Sequence, residues 1–197
     1  MNILITGASG GLGLGMAREF AAQGHSLALC ARRLEELQKI KTELVAAYPS
    51  IRVSVRSLDV NDHAQVFAVF QAFAEEFGTL DRIIINAGIG KGQPIGTGRF
   101  DANLATAQTN FVAALAQCEA AMQILRAQNS GQLVTISSIS ALRGLPKNQA
   151  VYAATKAALA SLTEGLRLEL MGTPIRVTTI YPGYIRTDIN RFAGKLP

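Results

Sequence analysis

The sequence predicts an α/β fold, a doubly wound parallel sheet with helices on both faces in three αβα layers. Short aliphatic runs alternate with helical periods along the chain, one run is apolar without interruption, and each run leads into glycine or polar residues that a core does not need. Alternation implies parallel pairing through right-handed crossovers. An uninterrupted apolar strand suits a sheet buried on both faces.

Each element has its own signal. Asn2 to Thr6 is a β-branched and aliphatic strand, and Gly11 to Gln23 is a helix with apolar residues at Leu12, Met16, Ala17 and Phe20. Gly24 ends that helix, before the strand Ser26 to Cys30 and the charged helix Leu34 to Tyr48. Arg52 to Leu58 alternates as a strand, Asp62 to Phe77 is helical, and Leu80 to Ile85 is a strand ending in the uninterrupted apolar run Ile83-Ile84-Ile85. The Ala-rich stretch from Asp101 to Gln128 predicts one long helix. The strand Gln132 to Ser137, a helix from Val151 to Leu170 and a sixth strand, Ile175 to Tyr181, follow. No repeat or linker interrupts the pattern, so residues 1–197 are expected to form one domain with one site.

Composition excludes several classes. Hydrophobic residues make up 49% of the chain and charged residues 17%, enough apolar surface for a folded globule. The start, MNILITG, does not read as a secretory signal, and the longest apolar candidate, Phe111 to Leu125, is broken by Gln117, Glu119 and Gln123. A cytoplasmic protein with no membrane partner is the expectation. Cys30 and Cys118 give neither a disulfide framework nor a metal-ligand spacing, so both read as small buried hydrophobes and no metal is expected. The net charge of +5 comes without a Lys/Arg block interleaved with aromatics, which points to an anionic cofactor and not to nucleic acid.

Ligands of such sheets bind outside the carboxyl ends of the strands, so the strand exits hold the candidate residues. The first strand leads into Thr6-Gly7-Ala8-Ser9-Gly10-Gly11-Leu12-Gly13. Glycines between a strand and a helix let the backbone approach a pyrophosphate at the helix N-terminus, the dinucleotide-binding arrangement of a Rossmann fold. Gly7-Ala8-Ser9-Gly10-Gly11 also satisfies the G-x-S-x-G elbow of a serine hydrolase with Ser9 as nucleophile. That reading requires an acid and then a histidine downstream, and the two histidines, His25 and His63, come early and read as surface residues.

The second strand exits into Arg32 and Arg33, where a free ribose 2′-hydroxyl would call for an acid and a 2′-phosphate calls for guanidinium forks. The expected cofactor is therefore NADP(H) in preference to NAD(H), the alternative being that both arginines begin a solvated helix. The third strand exits into Asp59-Val60, the fourth into Asn86-Ala87-Gly88, the fifth into Ser137-Ser138 and the sixth into Pro182-Gly183. Beyond the fifth, Tyr152 and Lys156 lie four apart on one helix face, close enough for an ammonium to stabilise a phenolate. A tyrosine so placed could give and take the proton that carbonyl reduction and its reverse require.

Taken together, Thr6-Gly7-x-x-x-Gly11-x-Gly13, Asn86-Ala87-Gly88, Ser138, Tyr152-x-x-x-Lys156 and Pro182-Gly183 resemble the short-chain dehydrogenase/reductase (SDR) family over nearly the whole chain. The resemblance implies that Tyr152 is the general acid/base and that Lys156 lowers its pKa while binding the nicotinamide ribose. It implies that Ser138 holds the substrate oxygen, and that Asn110 holds a water continuing a proton relay through Lys156. Asp59 and Val60 resemble the pair at the adenine, Asn86 lines the cofactor cleft, and Thr187 resembles the residue at the carboxamide. Homodimers or homotetramers are implied too, through the Asp101 to Gln128 helix and the helix carrying Tyr152.

Two departures stand out. The stretch from Ser138 to Tyr152 is one residue longer than the commonest family spacing, which leaves Ser140 as a lesser candidate for the orienting serine and the loop Leu145 to Gln149 to absorb the excess. The resemblance implies a substrate lid, a further helix and a seventh strand after Pro182-Gly183, and with Pro197 the last residue of this sequence these are expected to be short or missing from it. The reaction expected is metal-free NADP(H)-dependent exchange of a hydride with the carbonyl or secondary alcohol carbon of a small molecule. A 3-oxoacyl reductase falls within that class, and a cofactor-binding regulator or scaffold without turnover is the alternative outside it.

Overall fold

Ile3 and Ile5 of the first strand, β1 (Asn2–Thr6), are buried among one set of side chains and Leu4 among another, as the two-residue period of a strand covered on both faces requires. The computed structural model describes residues 1–144 and 148–185. Among these, β1, β2 (Ser26–Ala31), β3 (Val53–Ser57), β4 (Arg82–Ile85), β5 (Gly131–Ile136) and β6 (Ile175–Ile180) form one sheet in the order β3-β2-β1-β4-β5-β6. Every neighbouring pair is parallel. The order reverses between β1 and β4, and the crevice outside their carboxyl ends is where such a sheet binds ligands.

Helices α1 (Gly11–Ala22) and α2 (Leu34–Ala47) bury Ala17, Ala21, Leu37, Ile40 and Leu44 against one face. On the other, α3 (His63–Phe77), α5 (Ala113–Gln128) and α6 (Ala150–Glu169) cover Leu4, Ile83, Ile85 and Leu133. Phe70 and Phe73 of α3 are fully buried there, each stabilising the fold by about 1.5–3 kcal/mol through removal of apolar surface from water. Both cysteines are buried; burial pushes the Cys30 thiol up and the Cys118 thiol up to about 12, so they act as apolar packing. No helix among the described residues is long and apolar enough to cross a membrane.

Two local expectations are corrected. The helix expected from Asp101 to Gln128 is not continuous: α4 (Phe100–Ala107) passes into a π turn, Gln108–Val112, before α5 begins. One extra residue per turn rotates Thr109 and Asn110 inward, where both are buried. The strand expected from Leu80 starts instead at Arg82. Leu80 is buried, yet its N–H and carbonyl are satisfied by the Gln128 side chain at 2.9 and 3.1 Å, so it needs no strand partner.

Candidate active site

The exit of β1 is shaped by what glycine allows. Gly7 has φ +65°, a left-handed conformation costly for other residues, and a methyl there would lie 2.9 Å from the Ala87 Cα. A methyl at Gly13 would collide with the Gly7 carbonyl oxygen, so α1 packs directly on the turn and brings its first N–H groups to the loop. The turn is fastened to β4 by side chains. Asn86 Nδ2 donates to the Thr6 carbonyl at 2.9 Å, and Thr6 Oγ1 accepts from the Asn86 and Ala87 N–H groups at 3.0 and 3.1 Å. Asn86, expected to line the cleft, therefore also braces two strand exits together.

Arg33, just beyond β2, reaches over this loop. Its Nη2 donates to the Ser9 carbonyl and to Ser9 Oγ, each at 3.1 Å, and its Nε lies 3.3 Å from the same hydroxyl. Arg32 is exposed beside it. Ser9 thus orients an arginine. His25 precedes β2 at the opposite end of the sheet and packs on Phe20 at 6.1 Å between ring centroids, so it cannot serve Ser9 as a base. The other histidine, His63, opens α3 after Asp62, whose carboxylate caps that helix by accepting from the Gln65 N–H.

At the exit of β3, Val60 is buried while Asp59 is half-buried, its Oδ1 accepting from Asn61 N and Nδ2 at 3.0 and 3.1 Å. Asn61 in turn accepts from Thr109 Oγ1 at 3.2 Å, which links this loop to the π turn. Sequence reasoning passed over Asn61 and Thr109; only their convergence across 48 residues gives them a role.

The second half of the site gathers side chains from three elements. Asn110, 1% exposed, forms a two-point pair with Ile89, its Oδ1 accepting from the Ile89 N–H and its Nδ2 donating to the Ile89 carbonyl, both at 2.8 Å. Gly88 sits between Asn110 and Lys156: a methyl there would stand 3.2 Å from Asn110 Oδ1 and 3.6 Å from Lys156 Nζ. Lys156 is 4% exposed and donates from Nζ to the Ile136 carbonyl at 2.7 Å, and its own carbonyl accepts from Ser137 Oγ at 2.9 Å. Burial pulls its ammonium down to about 8.

Tyr152 and Lys156 share a face of α6, as their spacing predicts, with the ammonium over the ring, 5.9 Å from its centroid. Burial holds the Tyr152 phenol above its ordinary value, opposed by a hydrogen bond with the Ser138 side chain. Ser138 lies two residues beyond β5 and caps a 3₁₀ turn, Ile139–Ala141, whose middle residue, Ser140, is buried. Ile139 N–H donates to the Pro182 carbonyl at 3.0 Å, which seats the exit of β6 beside Ser138. Gly183 leaves open space around its Cα, while Thr187 and residues 145–147 of the loop before α6 lie outside the described residues.

Known proteins resemble this chain over nearly its whole length. The family described as short chain dehydrogenase matches residues 1–195. An uncharacterized oxidoreductase of Mycobacterium tuberculosis is 54% identical over 187 residues, covering 95% of this chain and 74% of the relative. The NADP-dependent 3-hydroxy acid dehydrogenase of Schizosaccharomyces pombe is 34% identical over 200 residues, covering 98% and 75%. Among solved structures, levodione reductase superposes with a TM-score of 0.90 at 34% identity over 95% of this chain and 73% of its own. By the match of nearly its entire length, this chain belongs to the short-chain dehydrogenase/reductase family of oxidoreductases.

Proposed function

We propose that the protein is an NADP(H)-dependent reductase or dehydrogenase acting on the carbonyl or secondary alcohol of a small molecule. The observation that carries this reading is the convergence of Ser138, Tyr152, Lys156 and Asn110 beside a glycine cradle closed to any larger residue at Gly7 and Gly13. When bound, the nicotinamide supplies or accepts a hydride. Everything else is the work of the chain's own residues.

Gly7, Ser9, Gly11, Leu12 and Gly13 would hold the pyrophosphate, with Asp59 and Val60 at the adenine and Ala87, Gly88, Pro182, Gly183 and Thr187 toward the nicotinamide. Arg33, already turned over the loop by Ser9, would take the 2′-phosphate through its guanidinium fork, assisted by Arg32. Ser138 holds the substrate oxygen, and Tyr152 gives that oxygen a proton in reduction and removes one in oxidation. Lys156 supports the ionised tyrosine and binds ribose hydroxyls, and Asn110 holds the start of a proton path to solvent.

A homodimer is part of the proposal. Phe111 and Val112 of the π turn and Val151, Ala154 and Ala158 of α6 line an apolar cavity of about 340 Å³. Phe100 and Leu104 of α4 and Leu115 of α5 are exposed. Apolar area of this kind suits a two-fold contact with a second copy.

A fluorescence titration with NADPH and with NADH, followed by a carbonyl screen, tests the reading. NADPH binding tighter by about tenfold, or 1.4 kcal/mol, supports the cofactor and the role of Arg33. Equal binding removes the preference. Tight binding without oxidation of NADPH by any carbonyl compound leaves a binding protein and removes the enzyme.

A further inference from the structure

Two serines follow β5, and by sequence either could hold a substrate oxygen. The fold separates them: Ser138 is partly exposed beside Tyr152, whereas Ser140, in the 3₁₀ turn, is 2% exposed behind it. Ser140 contacts Ser138 Oγ twice, with its N–H at 3.1 Å and its own hydroxyl at 2.9 Å. A hydroxyl oxygen has two lone pairs and one proton. With both lone pairs engaged by Ser140, the Ser138 proton is directed away from Ser140 and is free for the Tyr152 oxygen, and the Ser138 side chain opposes the rise that burial gives the Tyr152 phenol. Were Ser138 to donate to Ser140 instead, the buried Ser140 proton would have no acceptor among the described residues.

We propose that Ser140 is a positioning residue that fixes Ser138 as a hydrogen-bond donor, whose one proton goes to the ionised oxygen of Tyr152 in the free site and to the substrate oxygen when a substrate is bound. This rests on the acid/base role given to Tyr152 above. The two serines then have different roles, since Ser138 touches the reacting oxygen and Ser140 acts only through Ser138.

Among the described residues, few other charges face Tyr152. Lys156 lies over its ring from the same helix, α4 brings Asp101 paired with Arg99, and β6 brings Arg176 at its entry end, away from the site. The π turn, β5 and the 3₁₀ turn bring none, and the neighbouring loops carry the exposed Lys91 and Arg143. A change at Ser140 is therefore read at Tyr152 without altering any charge.

The test is a pH titration of tyrosinate absorbance, with the Tyr152→Phe protein subtracted to remove Tyr48, Tyr181 and Tyr184. Ser140→Ala frees a lone pair on Ser138, which can then accept from the phenol. Its Tyr152 titration moves up by about half a pH unit or more, roughly threefold in proton affinity, while Ser140→Thr, which keeps the donor, titrates with the wild type. Circular dichroism verifies folding of each variant. If Ser140→Ala does not fold, Ser140→Cys, a weaker donor of similar size, must show the rise in its place. An unmoved titration in the variant lacking the donor overturns the proposal, as does an equal rise in Ser140→Thr, because bulk and not the hydroxyl would then matter. Absence of turnover would remove the catalytic reading while this titration still decides the role of Ser140; turnover with an unmoved titration removes this inference alone.

Discussion

The two halves of the cleft are built by opposite means. Around the exits of β1, β2 and β3, the site is made by leaving side chains out: Gly7 and Gly13 allow backbone to touch backbone, and Arg33 is the main side chain laid over them. Around the exits of β4, β5 and β6, it is made by anchoring side chains. Asn110, Lys156 and Ser138 are each held by hydrogen bonds to residues far along the chain or buried beneath them. A backbone cradle discriminates by shape and tolerates no added atom, whereas an anchored side chain can be trimmed while the surrounding fold stays in place.

The largest effect expected from this contrast is at Tyr152. Tyr152→Phe removes only a hydroxyl, so turnover falls by about 10²-fold to 10⁴-fold while NADPH affinity stays within about twofold. Steady-state kinetics beside a binding titration measures both, and a parallel loss of affinity would mean that the two halves are not separable. Next comes Gly13→Ala, whose methyl must displace the Gly7 turn. Affinity for NADPH and NADH should fall together by about tenfold to hundredfold, the 1–3 kcal/mol typical of overpacking.

Arg33→Ala should act on one cofactor only, weakening NADPH by about tenfold and leaving NADH unchanged. An equal loss for both would show that Arg33 supports the loop and does not read the phosphate. The remaining effect is one of stability. Lys156 sits at about 8 in the folded protein against 10.5 as a free group, so between those values the unfolded chain holds a proton that the folded chain has released. Stability should therefore rise with pH, by up to about 1.4 kcal/mol per unit, from about pH 8 to about pH 9.5, below the range where tyrosines ionise. Chemical denaturation at several pH values measures the slope, and it should vanish in Lys156→Met; a slope that persists there belongs to another group.

Much of the first half was legible in the residues because its signals are local. Glycines at fixed offsets between a strand and a helix already state that backbone must approach something, and Arg33 immediately after a strand states the sign of its charge. The second half was legible only as a set of residue types. Tyr152 and Lys156 share a helix face by spacing, yet the ammonium rests over the ring, because the Ile136 carbonyl on β5 holds it there. The break in the expected Asp101 to Gln128 helix left no trace in helix propensity, and the pair that the turn accommodates, between Asn110 and Ile89, joins residues 21 apart.

By itself the sequence determined the alternation of strands and helices, the parallel sheet and the glycine turn at β1, because periodicity and backbone permissiveness act within a few residues. The tertiary structure alone decided that Ser140 stands behind Ser138, that Asn86 braces β1 to β4, and that Thr109 meets Asn61. These are hydrogen bonds, whose strength is set by tenths of an ångström and by burial between segments as far as 80 residues apart, and no local pattern encodes such distances.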